Sequence, residues 1–225
     1  AGDRAWIVTN LHVIGQGRGF RVEAADGRAW QAPEVTLAVR APAQASLLEA
    51  SHPDVAATLR SVAYVPMVVC AVGYGPDDGP PLPEAFGFLR GPGSRARILG
   101  ATCNSRLNPD VAPAGASLLT VYIGGSEDPD AVTLDDETLR ATVLGDLADA
   151  LGGPIEPALF DVMRWERAIP VFAPGHRGRM AAANAAVAEG GIRLLGSHVT
   201  GVSLGDCCRP STPIAGPLPD GLVRL

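Results

Sequence analysis

The sequence predicts a mixed α/β chain with a substantial antiparallel sheet, and three observations lead there. The apolar run Tyr64–Tyr74 is followed by three more strand-like runs, AFGFLR, RILGATC and SLLTVYIGG, separated by Gly- and Pro-rich connections. Residues 134–151 place Leu139, Val143, Leu147 and Leu151 at a spacing of four, the signature of one buried helix face. The candidates as a whole run strand, helix, many strands, helix, strand, helix, which fits neither an all-α nor an all-β architecture.

Each element has its own signal. Near the start, AWIVTNLHVI and FRVEA flank GQGRG, and Asp26-Gly27 in the next turn marks a hairpin. A strand from Val35 to Val39 follows. Pro42 and Pro53 each open a helical stretch, since proline in the first helical turn gives up an N–H that had no partner anyway. The Tyr64–Tyr74 run is too short to span a membrane and reads as a strand buried on both faces. In the 134–151 helix, Asp135, Asp136 and Glu137 complement the positive end of the dipole, and Gly152-Gly153 ends it. A long strand, ALFDVMRWERAIPVF, leads to the Ala-rich helix RMAAANAAVAEG and the short strand GIRLLG. A glycine-punctuated junction, SHVTGVSLGDCCR, then starts another helix near Gly201, and the tail from Pro210 reads as loose.

Composition narrows the function classes. With 27 Gly and 20 Pro in 225 residues the chain is loop-rich yet short of the low-complexity range, so a folded soluble protein is expected. The net charge is −6, there is no lysine, and the 18 arginines are scattered, which argues against a nucleic-acid partner. Cys70, Cys103, Cys207 and Cys208 match neither a disulfide framework nor a zinc site, and AGDRAWIVTN carries no export signal, so a cytoplasmic location is expected.

Few residues suggest chemistry by themselves. The four histidines have no metal-ligand spacing and no nucleophile motif nearby, which gives no metal site and no catalytic side chain. GQGRG lacks the spacing of a dinucleotide fingerprint and reads as a hairpin turn. LLGSHVTGVSLGDC differs from these, because backbone N–H groups at a strand-to-helix junction suit a phosphate or a polarised carbonyl oxygen. Arg164-Trp165 could carry a large ring and a cation to a pocket, or form a packed edge strand.

Taken in order, FRVEAADGRAWQAPEVTLAVRAPAQASLLE, FGFLRGPGSRARILGATCNSRLNPDVAPAG, LLTVYIGGSEDPD, VMRWERAIPVFAPGH and GIRLLGSHVTGVSLGDC resemble the C-terminal half of the oxygen-dependent porphyrinogen oxidases. These are FAD enzymes of the amine oxidase superfamily, and the similarity runs from about residue 5 to Cys208. It implies a Rossmann-like FAD domain, here incomplete, from residues 1–60 and 176–208, a substrate domain with a mixed, largely antiparallel sheet over 61–175, and a Pro-rich tail over 209–225. The G-x-G-x-x-G half that holds the FAD diphosphate in the family is not in these 225 residues, so an N-terminal half, on the same or another polypeptide, is an implied partner.

The resemblance also implies roles. In the cofactor segment Gly196, Ser197, Gly201 and Val202 form the second flavin contact, with the Val202 amide as donor to the pyrimidine end and Gly201 allowing close approach. Ser197 stands where the family usually carries Asn. Leu11 matches the backbone contact to the adenine end, and Trp165 belongs to the cofactor surroundings. Leu89 matches an apolar substrate position, and Asn108 falls where Phe is typical. The implied substrates are a porphyrinogen and molecular oxygen, with haem biosynthesis as the setting and peripheral membrane association as a possibility for location. Two rival expectations are a non-catalytic fragment that holds no FAD and another flavin enzyme of the superfamily.

Overall fold

The computed structural model describes residues 11–15, 20–24, 29–32 and 34–208. It divides into two compact units, one made of Ala1–Ala63 with Pro170–Leu225, the other of Tyr64–Ile169.

The Tyr64–Ile169 unit is built on a five-stranded sheet. Its strands are β5 (Tyr64–Tyr74), β6 (Gly87–Leu89), β7 (Ile98–Cys103), β8 (Ser117–Gly124) and β9 (Leu159–Pro170, whose last residue crosses to the other unit), in the order β6-β7-β8-β5-β9. β6, β7, β8 and β5 pair antiparallel in sequence. Alternation divides the side chains. Val68, Cys70, Val72 and Tyr74 of β5, Leu119, Val121 and Ile123 of β8, and Ile98, Ala101 and Cys103 of β7 form the core.

Onto that face packs α4 (Asp136–Leu151), which buries Leu139, Val143 and Leu147 completely. Burying each such side chain stabilises by roughly 1.5–3 kcal/mol. Asp135 caps the helix, its carboxylate accepting from the Thr138 amide at 2.8 Å and the Thr138 hydroxyl at 2.8 Å, and these bonds hold its pKa below the usual carboxylate range. Gly152 closes it in the left-handed conformation (φ 85°). Asp146 fastens the helix to the sheet by accepting from the amides of Arg97 (2.7 Å) and Ile98 (2.9 Å).

The sequence expectation that Tyr64–Tyr74 is buried on both faces holds for one face. Val69 and Ala71 on the other are half-buried and lie outside the core cluster. An antiparallel sheet tolerates this, whereas the doubly buried strand that the apolar run suggested belongs to parallel sheets. The structure also adds a short helix α3 (Asn104–Leu107) and 3-10 turns at Pro109–Val111 and Pro129–Thr133 that no periodicity announced.

In the discontinuous unit, β1 (Leu11–Gly15), β2 (Phe20–Ala24) and β3 (Ala29–Ala32) form an antiparallel meander with Glu23 opposite Ala29, consistent with a hairpin at Asp26-Gly27, although residues 25–28 lie outside the described set. All of AWIVTN and the Pro210 tail also lie outside it. β4 (Val35–Leu37) leaves the meander and pairs parallel with β10 (Ile192–Leu194), a crossover of more than 150 residues that no local signal could reveal. Helices α1 (Ala41–Leu48) and α2 (Pro53–Arg60) follow β4, and α5 (His176–Ala188) precedes β10. Among the described residues no helix is long and apolar enough to cross a membrane.

Candidate functional site

Two surfaces, one in each unit, carry Gly196, Ser197, Gly201 and Val202 on the one hand and Leu89 and Trp165 on the other.

The first is the turn after β10. Leu195 donates its amide to Leu37 O at 2.9 Å, and Gly196 then adopts φ 131°, ψ 169°. A four-residue helix, α6 (Ser197–Thr200), ends at Gly201, again with a positive φ of 130°. The expected helix start near Gly201 is thus resolved into α6 before that glycine and a helical segment over 204–208 after it. Both glycines are required sterically. A Cβ at Gly196 would lie 3.1 Å from the His198 ring, and one at Gly201 would lie 2.6 Å from the Asp206 carboxylate. Val202 is exposed, and its amide makes no hydrogen bond to another described residue. Ser197 is half-buried at the start of α6.

Behind the turn lies a buried polar chain. His198 is 1% exposed and its Nε2 lies 3.0 Å from Gln44 Oε1. Gln44, fully buried on α1, donates from its amide nitrogen to Leu37 O (2.7 Å), Val39 O (2.9 Å) and Leu195 O (2.7 Å). His176, at the start of α5, donates from Nε2 to the His198 carbonyl at 2.6 Å and stacks on Phe172 with ring centroids 4.7 Å apart. Burial, with His176 adding to it, lowers the His198 pKa to about 4, so the ring is neutral at pH 7. Of this polar chain, the sequence singled out only the segment SHVTGV that carries His198. The remaining signal was a glutamine within an apolar helix, APAQASLL.

The second surface is the open face of the five-stranded sheet. Strand register puts Leu89 beside Gly100, Gly100 beside Tyr122 and Tyr122 beside Val69. At the other edge Leu159, Asp161, Met163 and Trp165 alternate with Phe160, Val162 and Arg164, which turn to the core and to α4. Gly73 keeps this face flat, since a Cβ there would lie 3.2 Å from the Leu159 Cβ. Leu89 (84% exposed), Met163 (53%) and Trp165 (47%) are large apolar groups offered to solvent on the face of a rigid sheet. Four strand spacings, roughly 19 Å, separate the Leu89 edge from the Trp165 edge.

The structure therefore separates the pair Arg164-Trp165. Arg164 donates to Leu134 O (2.8 Å) and Asp136 (2.7 Å) at the N-terminus of α4, while Trp165 points the other way. Trp165 also lies in a different unit from Gly196, Ser197, Gly201, Val202 and Leu11, the last of which opens β1. Asn108 is exposed and already employed: its Oδ1 accepts from the Asp110 amide at 3.2 Å, capping the Pro109–Val111 turn.

A cleft of about 750 Å³ beside Tyr74, Pro80, Arg106 and Ser117 offers less, because its polar groups engage one another: Tyr74 donates to Pro80 O (2.7 Å) and Arg106 to Leu82 O (2.8 Å). Cys70 is no nucleophile, since burial pushes its thiol up to about 11.

The turn combines two positive-φ glycines with a Val202 amide that has no hydrogen bond to another described residue. A family model described as flavin containing amine oxidoreductase matches residues 5–209. The chain belongs to that family.

Within it, the chain is 31% identical over 207 residues to the chloroplastic protoporphyrinogen oxidase of Oryza sativa subsp. japonica, covering 86% of this chain and 38% of that protein. It is 29% identical over 205 residues to the coproporphyrinogen III oxidase of Mycobacterium bovis, covering 90% of this chain and 43% of that protein. Among solved structures, a protein assigned as a protoporphyrinogen oxidase from Exiguobacterium sp. 255-15 aligns with TM-score 0.72 and 22% identity over 91% of this chain and 44% of that one. A putrescine oxidase variant aligns with TM-score 0.67 and 16% identity over 92% and 48%. At such identities the structural likeness concerns the fold. It matches the mixed α/β architecture with an antiparallel sheet that the sequence predicted. The chain spans less than half the length of these relatives. FAD, the cofactor implied by the sequence resemblance, is supported by membership of this flavin-containing oxidoreductase family.

Proposed function

We propose that the chain is the C-terminal portion of an FAD-dependent porphyrinogen oxidase of haem biosynthesis. The observation that carries this reading is the match across most of the chain to both protoporphyrinogen and coproporphyrinogen oxidases. When bound, FAD would supply the hydride acceptor for the porphyrinogen, with molecular oxygen as the terminal oxidant reduced to peroxide.

The residues of this chain bind and orient. The discontinuous unit serves the cofactor. The Val202 amide would donate to the pyrimidine end of the flavin, which gains negative charge on reduction, and Gly196 and Gly201 would let the backbone approach. Ser197 borders this contact without the side-chain amide that Asn supplies in the family, and Leu11 offers backbone to the adenine end. The sheet unit serves the substrate. Its flat apolar face, with Leu89 at one edge and Trp165 at the other, excludes water from a flat macrocycle. Asn108 faces the substrate where a stacking ring would otherwise be. No side chain of this chain is assigned as a general base. The reading includes a partner half that holds the FAD diphosphate on a G-x-G-x-x-G turn, and a cytoplasmic location with peripheral membrane contact.

The test is reconstitution. The chain is co-expressed with the N-terminal half of a porphyrinogen oxidase, and the purified pair is assayed for bound FAD, oxygen uptake and porphyrin fluorescence with each of the two porphyrinogens. A yellow pair that produces porphyrin and peroxide is expected. A pair that retains FAD yet oxidises neither porphyrinogen refutes the substrate assignment, and one that forms without FAD refutes the cofactor site.

A further inference from the structure

We infer that Gln44, acting through His198 and with His176 opposite, is a positioning residue for the Gly196–Val202 turn, holding the backbone in the form that leaves the Val202 amide without a partner among the described residues. The pinning stands on hydrogen-bond geometry, and its purpose rests on the flavin reading of that turn.

The orientation of every group in the chain is determined. Three carbonyl oxygens, from Leu37, Val39 and Leu195, surround one end of the Gln44 side chain at 2.7–2.9 Å. Only the NH2 end of an amide can face carbonyls, so the oxygen end faces His198. That oxygen can only accept, which places the His198 proton on Nε2 and leaves Nδ1 bare. Nδ1 is buried without a hydrogen-bond partner and lies 3.2 Å from where a Gly196 Cβ would sit. A second proton there would be buried without an acceptor. One tautomer and one charge state therefore fit the site.

The groups that Gln44 reads are also informative. Leu37 ends β4, and Leu195 follows the last residue of β10, so one amide clamps together the ends of the two parallel strands from which the turn departs. From the other side His176, the first residue of α5, holds the His198 carbonyl. The turn is thus fixed to a strand pair and two helices, and the Val202 amide takes its place from regular structure. A site carried by regular elements keeps its donors within the tolerance a ligand demands. A buried polar chain contributes little net stability over an apolar filling of the same shape, and where every member but one is satisfied its effect is to select a single arrangement.

The experiment uses the full chain and the reconstituted pair. Imidazole 1H–15N long-range spectra of the full chain are expected to show His198 protonated on Nε2. In Gln44→Leu, close in volume and without the amide, hydrogen exchange at Val199, Thr200 and Gly201 rises about tenfold or more, while exchange along α4 is unchanged. The paired Gln44→Leu protein holds FAD about tenfold more weakly and shows an altered flavin absorption band. His198→Gln, which keeps a donor toward Gln44, restores FAD affinity to within about twofold, whereas His198→Phe does not. Gln44→Leu with wild-type FAD affinity and spectrum but a lowered unfolding midpoint would show a merely structural role and overturn the proposal, as would a His198 proton on Nδ1. A wild-type pair that holds no FAD refutes the flavin reading instead, and the tautomer and exchange results then decide the pinning alone.

Discussion

The two candidate surfaces present opposite parts of the polypeptide. On the open sheet face the backbone is consumed by the ladder and the side chains Leu89, Tyr122, Met163 and Trp165 are what a ligand would meet. At the Gly196–Val202 turn the side chains of Gln44, His198 and His176 are buried behind, and the backbone itself is offered. An apolar macrocycle asks for area and flatness, which a sheet face provides. A ring that gains charge asks for a dipole at one point, which a fixed amide provides. The same contrast governs tolerance to mutation: the face can lose a side chain and keep its shape, while the turn depends on contacts that act together.

The largest effect expected from breaking this contrast lies beneath the open face. Leu139→Ala removes a fully buried side chain from the seam between α4 and the sheet and should cost about 2–5 kcal/mol in chemical unfolding of the Tyr64–Ile169 unit. Unfolding followed at that unit and at the His198 imidazole should show the loss in the first signal alone. Equal loss at both would mean that the two units unfold together.

A second effect is specific to the turn. The His198 pKa of about 4 in the folded chain lies below the ordinary value of 6.5, so the unfolded chain takes up the proton more readily. The corresponding stability is fully present above about pH 6.5 and is lost as pH falls toward 4, by on the order of 3 kcal/mol. His198→Gln should remove that part of the pH dependence, measured as the difference between the two unfolding curves from pH 7 to pH 4. Parallel curves would place the titration elsewhere.

How much of this was legible in the sequence differs between the surfaces for one physical reason. The sheet and α4 announce themselves by local period: Leu139, Val143 and Leu147 are four residues apart, and the β5 run needs no distant information. Its open face was misread because an apolar run does not tell how many of its faces are covered. The polar chain behind the turn joins Gln44 to His198 across 154 residues, and β4 to β10 across a similar separation, so each partner looked ordinary alone. The glycines of the turn stood out because positive φ is a local demand. The role of Asn108 as a cap was also local, since Asn before Pro-Asp is a turn signal, yet the family comparison drew attention to what was missing there.

A third prediction turns on Gly201. Any side chain there meets Asp206 and must adopt φ near 130°, which costs of order 1–3 kcal/mol before the clash is relieved. Gly201→Val in the reconstituted pair should abolish FAD retention. Cys208→Ser, at an exposed position, should leave it intact. Equal losses from both changes would remove the turn from the cofactor site.

The smallest effect has two opposed parts, and Asn108→Phe exposes both. The Asn108 Oδ1 accepts from the Asp110 amide at 3.2 Å on an exposed turn, so its loss should lower stability by about 0.5–1 kcal/mol, the weak end of capping effects. In the reconstituted pair, a ring stacked on a flat tetrapyrrole should contribute about 0.5–1.5 kcal/mol beyond area burial, a several-fold rise in kcat/KM. That contact is alike in ground and transition states, so KM should fall while kcat barely moves. Asn108→Asp separates the two parts, because a carboxylate keeps the cap and offers no stacking surface; it should retain wild-type stability and show no gain in kcat/KM. Porphyrin fluorescence against substrate concentration, with urea unfolding of the same three proteins, reads both quantities. A Phe variant that loses stability without lowering KM would leave Asn108 as a turn cap alone and confine the substrate face to the strands.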